Sequence, residues 1–348
     1  MIPVSQSGIF YFDKNFKLPE IQQADLTVEQ DLGWNTVFSI SWLAAYGRRL
    51  PDFVDTNLPS SNANIAYQVV DPTGKGPIPN GTIVTAPYYT GARPDATRGP
   101  KTDIFSGVNS NYEAVVFHVT HRFTNHLQFD AHYTWSHALD YGENSTTFTN
   151  TNSLLDPKSV RAEYGNSDQN VPNRIVANAI YETPSKFRGW KAYLLNQYEI
   201  SPSYQIQNGN GLSLNVNSSQ TNLVSTTGMA LTAIASSING SGGSNRVPGY
   251  ARNALNLPRT RVFDLRVSKR FRVMDRGTLE ILAESFNLAN HFNITGVNST
   301  AYAAGAGTGS FAGTNVLAFN TPFNTPTSGN GDFIYTPRQV QLGARVQF

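Results

Sequence analysis

Apolar and polar residues alternate one for one over blocks of about ten residues, and that periodicity constrains the fold more than any other feature. Side chains two positions apart share one face of a strand, so each block presents one apolar and one polar surface. Residues 127 to 136 are the clearest case: Leu127, Phe129, Ala131, Tyr133 and Trp135 lie opposite Gln128, Asp130, His132, Thr134 and Ser136. The last block repeats it, with Val340, Leu342, Ala344, Val346 and Phe348 opposite Gln339, Gln341, Gly343, Arg345 and Gln347.

Further rows follow the same period. They are Leu26, Val28 and Leu32; Phe38, Ile40, Trp42, Ala44 and Tyr46; and Val115, Phe117, Val119 and Phe123. Next come Ile175, Ala177, Ala179 and Tyr181, then Trp190, Ala192, Leu194, Tyr198 and Ile200. The final pair is Phe263, Leu265, Val267 and Phe271, with Leu279, Ile281 and Ala283. Asn196, Lys269 and Ser285 interrupt apolar faces, and Lys269 is expected near a strand end, where its ammonium reaches water cheaply. The count is about nine strands, and Phe10, Tyr11 and Phe12 are candidates for a tenth.

The connections alternate as well. Gly33 to Asn35, Thr124 to His126, Pro184 to Gly189 and Asp275 to Gly277 are short. Residues 47 to 111, 137 to 173, 201 to 259 and 290 to 336 are long and rich in Gly, Asn, Ser, Thr and Pro. A soluble sandwich has no reason to keep this rhythm, and compact soluble domains rarely carry several loops above about fifteen residues. A membrane barrel does, with short periplasmic turns and long extracellular loops.

Lipid accounts for the faces. In hydrocarbon every backbone N–H and C=O must be paired, so a closed barrel is the all-β way across, apolar outside and polar within. The polar faces hold Asp130, Asp264, Glu280, Glu284, Arg266, Arg270 and Arg345, which a sandwich core would reject. A soluble sheet with one wet face explains the alternation but not the loop rhythm. Trp34, Tyr46, Phe123, Trp135, Tyr181, Trp190 and Phe271 fall near strand ends, as interfacial girdles require. The expected fold is therefore all-β: a partial transmembrane antiparallel barrel of about 9–10 strands, in a Gram-negative outer membrane.

Composition removes other classes. Among 348 residues only 14% are charged, against about a quarter in an ordinary soluble protein. A net charge of +2 with no clustered basic face argues against nucleic acid as a partner. Zero cysteines exclude thiolate metal sites, disulfides and cysteine nucleophiles. No run approaches 18 apolar residues, so no transmembrane helix is expected, and Met1 to Gln6 do not read as a signal peptide.

The alternating C-terminal strand Arg338 to Phe348, ending on an aromatic, resembles the signal read by the outer-membrane barrel assembly machinery. Asp168-Gln169-Asn170-Val171-Pro172-Asn173-Arg174 and the stretch from Arg259 to Phe271, continuing through Glu284-Ser285-Phe286-Asn287-Leu288-Ala289-Asn290-His291, resemble the barrel of TonB-dependent receptors of the Oar-like type. Gln22 to Gly47 is similar to a strand–turn–strand unit of the same barrels. The resemblance implies energised uptake of a siderophore, cobalamin or oligosaccharide, with the TonB complex as partner of the full-length protein. Such receptors also carry a signal peptide, a plug domain and twenty-two strands. Residues 1–348 are therefore expected to be the C-terminal portion of a receptor barrel, a fragment or truncated reading frame without plug or TonB box. Strand direction agrees, since counting back from the last strand makes the first run toward the periplasm. The alternatives are an adhesive outer-membrane barrel binding through its loops and a secreted all-β carbohydrate-binding protein.

No catalytic constellation is expected. Five of the six histidines fall between His118 and His137. If Phe123 faces Leu127 across the turn, His118 faces His132 on the lumen side with Asp130 nearby, the start of a metal site. The preferred reading is imidazoles lining a polar lumen and an interface, with no metal and no cofactor. Glu280 and Glu284 share a face as a carboxylate pair would, but Arg266, Arg270 and Arg272 on the preceding strand offer cross-strand ion pairs. Gly240 to Gly243 and Gly305 to Gly309 lie between no strand and helix, so they read as flexible extracellular loop rather than phosphate cradles. Residues 201 to 259 are the expected ligand-contacting loop, with no individual ligand residue assignable.

Overall fold

In a computed structural model the described residues are 8–61, 63–142, 154–218, 223–231, 237–273, 277–330 and 335–347. Nine strands form one antiparallel meander in chain order: β1 (Glu20–Gly33), β2 (Thr36–Asp55), β3 (Lys101–Thr124), β4 (Leu127–Asp140), β5 (Asn173–Glu182), β6 (Tyr198–Gln207), β7 (Thr260–Val273), β8 (Gly277–Phe286) and β9 (Gln339–Gln347). This is the wall of a transmembrane β-barrel. Among the described residues β1 and β9 each pair on one side only, so the wall is an open arc.

Register assembles the two faces across strands. Phe38, Val119, Ala131, Ala177, Tyr204 and Phe263 line up as one outward row over six strands. One residue along, Thr120, Asp130, Asn178, Ser203 and Asp264 line up on the other face. The outward rows are bare: Leu342 is 81% exposed, Leu26 65% and Trp135 59%. Exposed aliphatic rows of this extent are unfavourable in water and favourable against acyl chains.

Two hairpins turn on two-residue loops. Trp34 and Asn35 have φ of 51° and 60°, and Asn125 and His126 have 47° and 69°. Paired positive φ is the turn whose twist matches that of the flanking strands. Phe123, Tyr181, Trp190 and fully displayed Trp34 are exposed toward this rim, and Trp42 and Trp135 share a row further along the strands.

The third connection is a correction. Trp190, Ala192 and Leu194 are not a strand row; Trp190–Leu195 is a short helix, α1, and the connection runs from 183 to 197. Gly189 turns with φ +62°, and a run of good helix formers follows. The segment also explains the misplaced cation on the next strand but one. Lys269 Nζ donates to the Asn196 carbonyl at 2.5 Å and lies 4.1 Å from the Tyr198 ring centroid. The fourth turn, at 274–276, lies outside the described residues, as does Phe348.

β2 and β3 continue past the lipid. About ten residues cross the hydrocarbon, which on β2 takes 36–46. A bulge follows between Gly47 and Asp52, and the segment beyond stays paired to the start of β3 above the membrane. Ile9–Phe12 pairs there, parallel to Lys101–Ile104. Phe10 to Phe12 are therefore no tenth wall strand, because a parallel partner on the emerged part of β3 cannot extend the meander.

The described parts of the long loops carry regular structure. Pieces of three of them make a five-stranded sheet in the order Asn215–Ser218, Thr300–Ala306, Asn315–Phe319, Ala63–Val70 and Ile83–Tyr88. It holds a buried cluster that includes Ile65, Tyr67, Val69, Leu214, Ile238, Tyr302 and Leu317. The apolar interior thus sits in the loops while the wall turns its apolar side outward.

Candidate functional site: the polar face and the loop cap

Cross-strand register places charge on the inward face in pairs. Arg266 and Arg270 are the direct partners of Glu284 and Glu280. The Arg266–Glu284 separation is 3.4 Å, and Arg270 lies 2.8 Å from Glu199 and 3.9 Å from both Glu182 and Glu280. Each carboxylate thus lies within ion-pair distance of an arginine, with Arg270 shared among three of them. Arg270, Glu182 and Glu199, with His126 and Gln197, line a cavity of about 280 Å³ at the turn end.

Higher on the wall His118 and His132 are direct partners across β3 and β4, as the turn geometry requires. Asp130 lies between the imidazoles, with Oδ2 2.6 Å from His118 Nε2 and Oδ1 3.6 Å from His132 Nδ1. Of the other histidines in that run, His121 stacks on Phe129 and bonds Thr36, and His137 bonds Asn166.

The two family-like motifs turn out to be latches at the loop end. Asn170 Oδ1 accepts the Ala138 N–H at 2.8 Å, and the Tyr133 hydroxyl donates to Asn173 at 2.6 Å, binding the incoming loop to β4. Asp168 receives Asn253 Nδ2 at 2.5 Å and faces Arg252, which also pairs with Asp140. On β7, Asp264 accepts the Asn287 N–H at 2.7 Å, while Asn287 Nδ2 donates to the carbonyls of His291 and Thr336.

The cap is locked by buried polar groups, a feature that spacing alone does not reveal. Asn239 Nδ2 donates to Leu154 and Leu155 carbonyls at 3.0 and 3.1 Å, and the Tyr89 hydroxyl donates to Asp156 at 2.7 Å. Arg246 meets Glu163 at 2.9 Å, both buried, and burial raises the acid and lowers the base. Two of the glycines pack closely against neighbouring backbone. Gly240 has φ +65° and a Cβ there would lie 2.5 Å from the Tyr89 carbonyl, while at Gly307 it would lie 2.2 Å from that of Phe311. The expected ligand loop at 201–259 thus begins with β6 and then supplies Asn215–Ser218 and Ile238 to the cap.

Asp52, on the emerged part of β2, is fully buried; Oδ1 accepts the Phe53 N–H and Oδ2 has no partner. Burial, with the negative charge of Glu163 nearby, pushes its carboxyl up to about 7.

An apolar outer face, a polar inner face, tight turns at one end and folded loops at the other define an integral outer-membrane β-barrel. The chain belongs to the family described as "Outer membrane beta barrel domain", which matches residues 2–341. Among solved structures it is similar to the outer membrane transporter YddB from Escherichia coli, with a TM-score of 0.46 and 8% identity. The likeness covers 84% of this chain and 32% of that one, so the chain spans about a third of that transporter's length. No curated protein matches the sequence. The tight turns are accordingly periplasmic and the cap extracellular.

Proposed function

We propose that this chain forms wall and extracellular cap of a TonB-dependent receptor of the Oar-like type, which takes up a bulky scarce nutrient: a siderophore, cobalamin or an oligosaccharide. The observation that carries the reading is the joining of a charged inward face to a cap built from long loops. Such a passage is wetted inside and presents a rigid recognition surface outside, where binding residues on barrels concentrate. The edges of β1 and β9, unpaired among the described residues, fit an arc completed by further strands, since open edges are not tolerated in lipid.

In this reading lipid covers the outward rows, the barrel assembly machinery reads the strand ending at Phe348, and the TonB complex engages the full-length receptor. The isolated arc does not perform gated uptake. The test is uptake of labelled ferric siderophore, cobalamin and oligosaccharide by host cells with the gene intact or disrupted, each with and without active TonB. Loss of one cargo on disruption, and the same loss without TonB, is expected. Unchanged uptake of all three, with lost adhesion to other cells, would favour the adhesive barrel that the rigid cap also suits.

A further inference from the structure

The geometry points to a site for a late first-row divalent cation, of the zinc class, on the lumen face at His118, Asp130 and His132. Strand pairing preorganises it. His118 and His132 are direct partners, which fixes their Cβ atoms about 4.5–5.5 Å apart. Asp130 is two residues from His132, so it shares the same face. One donor atom from each residue lies within 4.8 Å of the others. Three donors held about 2.1 Å from a tetrahedral zinc are about 3.4 Å apart, so the widest gap closes by at most about 1.4 Å. Side chains 34–39% exposed to the lumen have room for that movement.

The donor chemistry sets the ion. Two imidazoles and one carboxylate suit zinc, cobalt, nickel or copper, whereas magnesium and calcium want an all-oxygen shell. The ion would take the place between the rings now spanned by the 2.6 Å His118–Asp130 hydrogen bond. Three protein ligands leave at least one coordination position toward the lumen for water or a passing ligand. The site lies within the crossing segment, four to seven residues from the Asn125–His126 turn on β3 and β4. The bland alternative is a His–Asp hydrogen bond with a second histidine beside it.

The experiment uses the whole chain, without an affinity tag, folded in detergent and stripped with chelator. Zinc chloride is titrated calorimetrically, and cobalt chloride is followed by visible absorption. Expected are one saturable site per chain, intense cobalt bands of four-coordinate character, and no competition from a large excess of magnesium or calcium. His118→Ala and Asp130→Asn should each weaken zinc at least tenfold, with His137→Ala unchanged. In the unsubstituted chain, zinc should shield His118 and His132, but not His137, from diethylpyrocarbonate as mapped by mass spectrometry, which keeps the test valid if a variant fails to fold. No saturable binding, a cobalt spectrum like that of the hydrated ion, or equal labelling of all three histidines with and without zinc would overturn the site.

Discussion

Ala131 and Thr134 stand on the same strand and meet different solvents, because an odd spacing in a strand changes face. Ala131→Arg should cost roughly 2–4 kcal/mol if the position lies near the bilayer midplane, and Thr134→Arg clearly less. Urea unfolding in lipid vesicles measures both, and equal tolerance would contradict the face assignment. Asp52 gives a pH dependence of definite sign. Its folded pKa of about 7 stands above the ordinary 3.8, so the fold favours the neutral acid. Its contribution is complete below 3.8, falls as pH rises through about 7, and stays lost above. Asp52→Asn should flatten the stability difference between about pH 5 and about pH 8, and an unchanged difference would remove Asp52 as its source. At this scale the His118–His132 pairing was legible from turn and parity. The buried Asp52 was not, since its burial comes from tertiary packing, and the charge that adds to it, on Glu163, is more than a hundred residues away.

At the scale of elements, strands were legible wherever two solvents dictate alternation. Trp190–Leu195 was not legible, because alternating Trp, Ala and Leu suit a strand but follow a left-handed glycine and become α1. Ile65, Tyr67 and Val69 alternate with Asn64, Ala66 and Gln68, but that short run sits in a segment whose composition reads as loop, which hides the strand. Its partner strand is remote: Asn315 Nδ2 donates to the Ala66 carbonyl across 249 residues. Removing one member of the cap's buried ion pair should be costly. Arg246→Met leaves the Glu163 charge buried and is expected to destabilise the cap by about 3–5 kcal/mol. Gly240→Ala forces a side chain into the Tyr89 carbonyl at positive φ, with a predicted loss of at least about 1 kcal/mol. Both should quicken proteolysis of the loops in the folded protein while leaving the wall's strand signal intact. Cap protection equal to that of the unsubstituted chain would show the cap is held by other contacts.

For the whole molecule, the inverted distribution of apolar surface is the organising fact. The wall spends its apolar rows on lipid and its polar rows on the lumen, while the loops build the water-excluding core that a soluble domain would place between its layers. Period two revealed the wall because the bilayer acts on every strand alike, whereas the cap depends on contacts among loops that no local pattern encodes. The absence of native cysteine permits a direct test by single-site spin labelling in lipid vesicles. Labels at Ala131→Cys and Ala177→Cys should relax with oxygen dissolved in the bilayer, and labels at Thr120→Cys and Ser203→Cys with a water-soluble nickel chelate. Equal shielding of both pairs from both reagents, or the reverse preference, would contradict an outer face in lipid and an inner face in water.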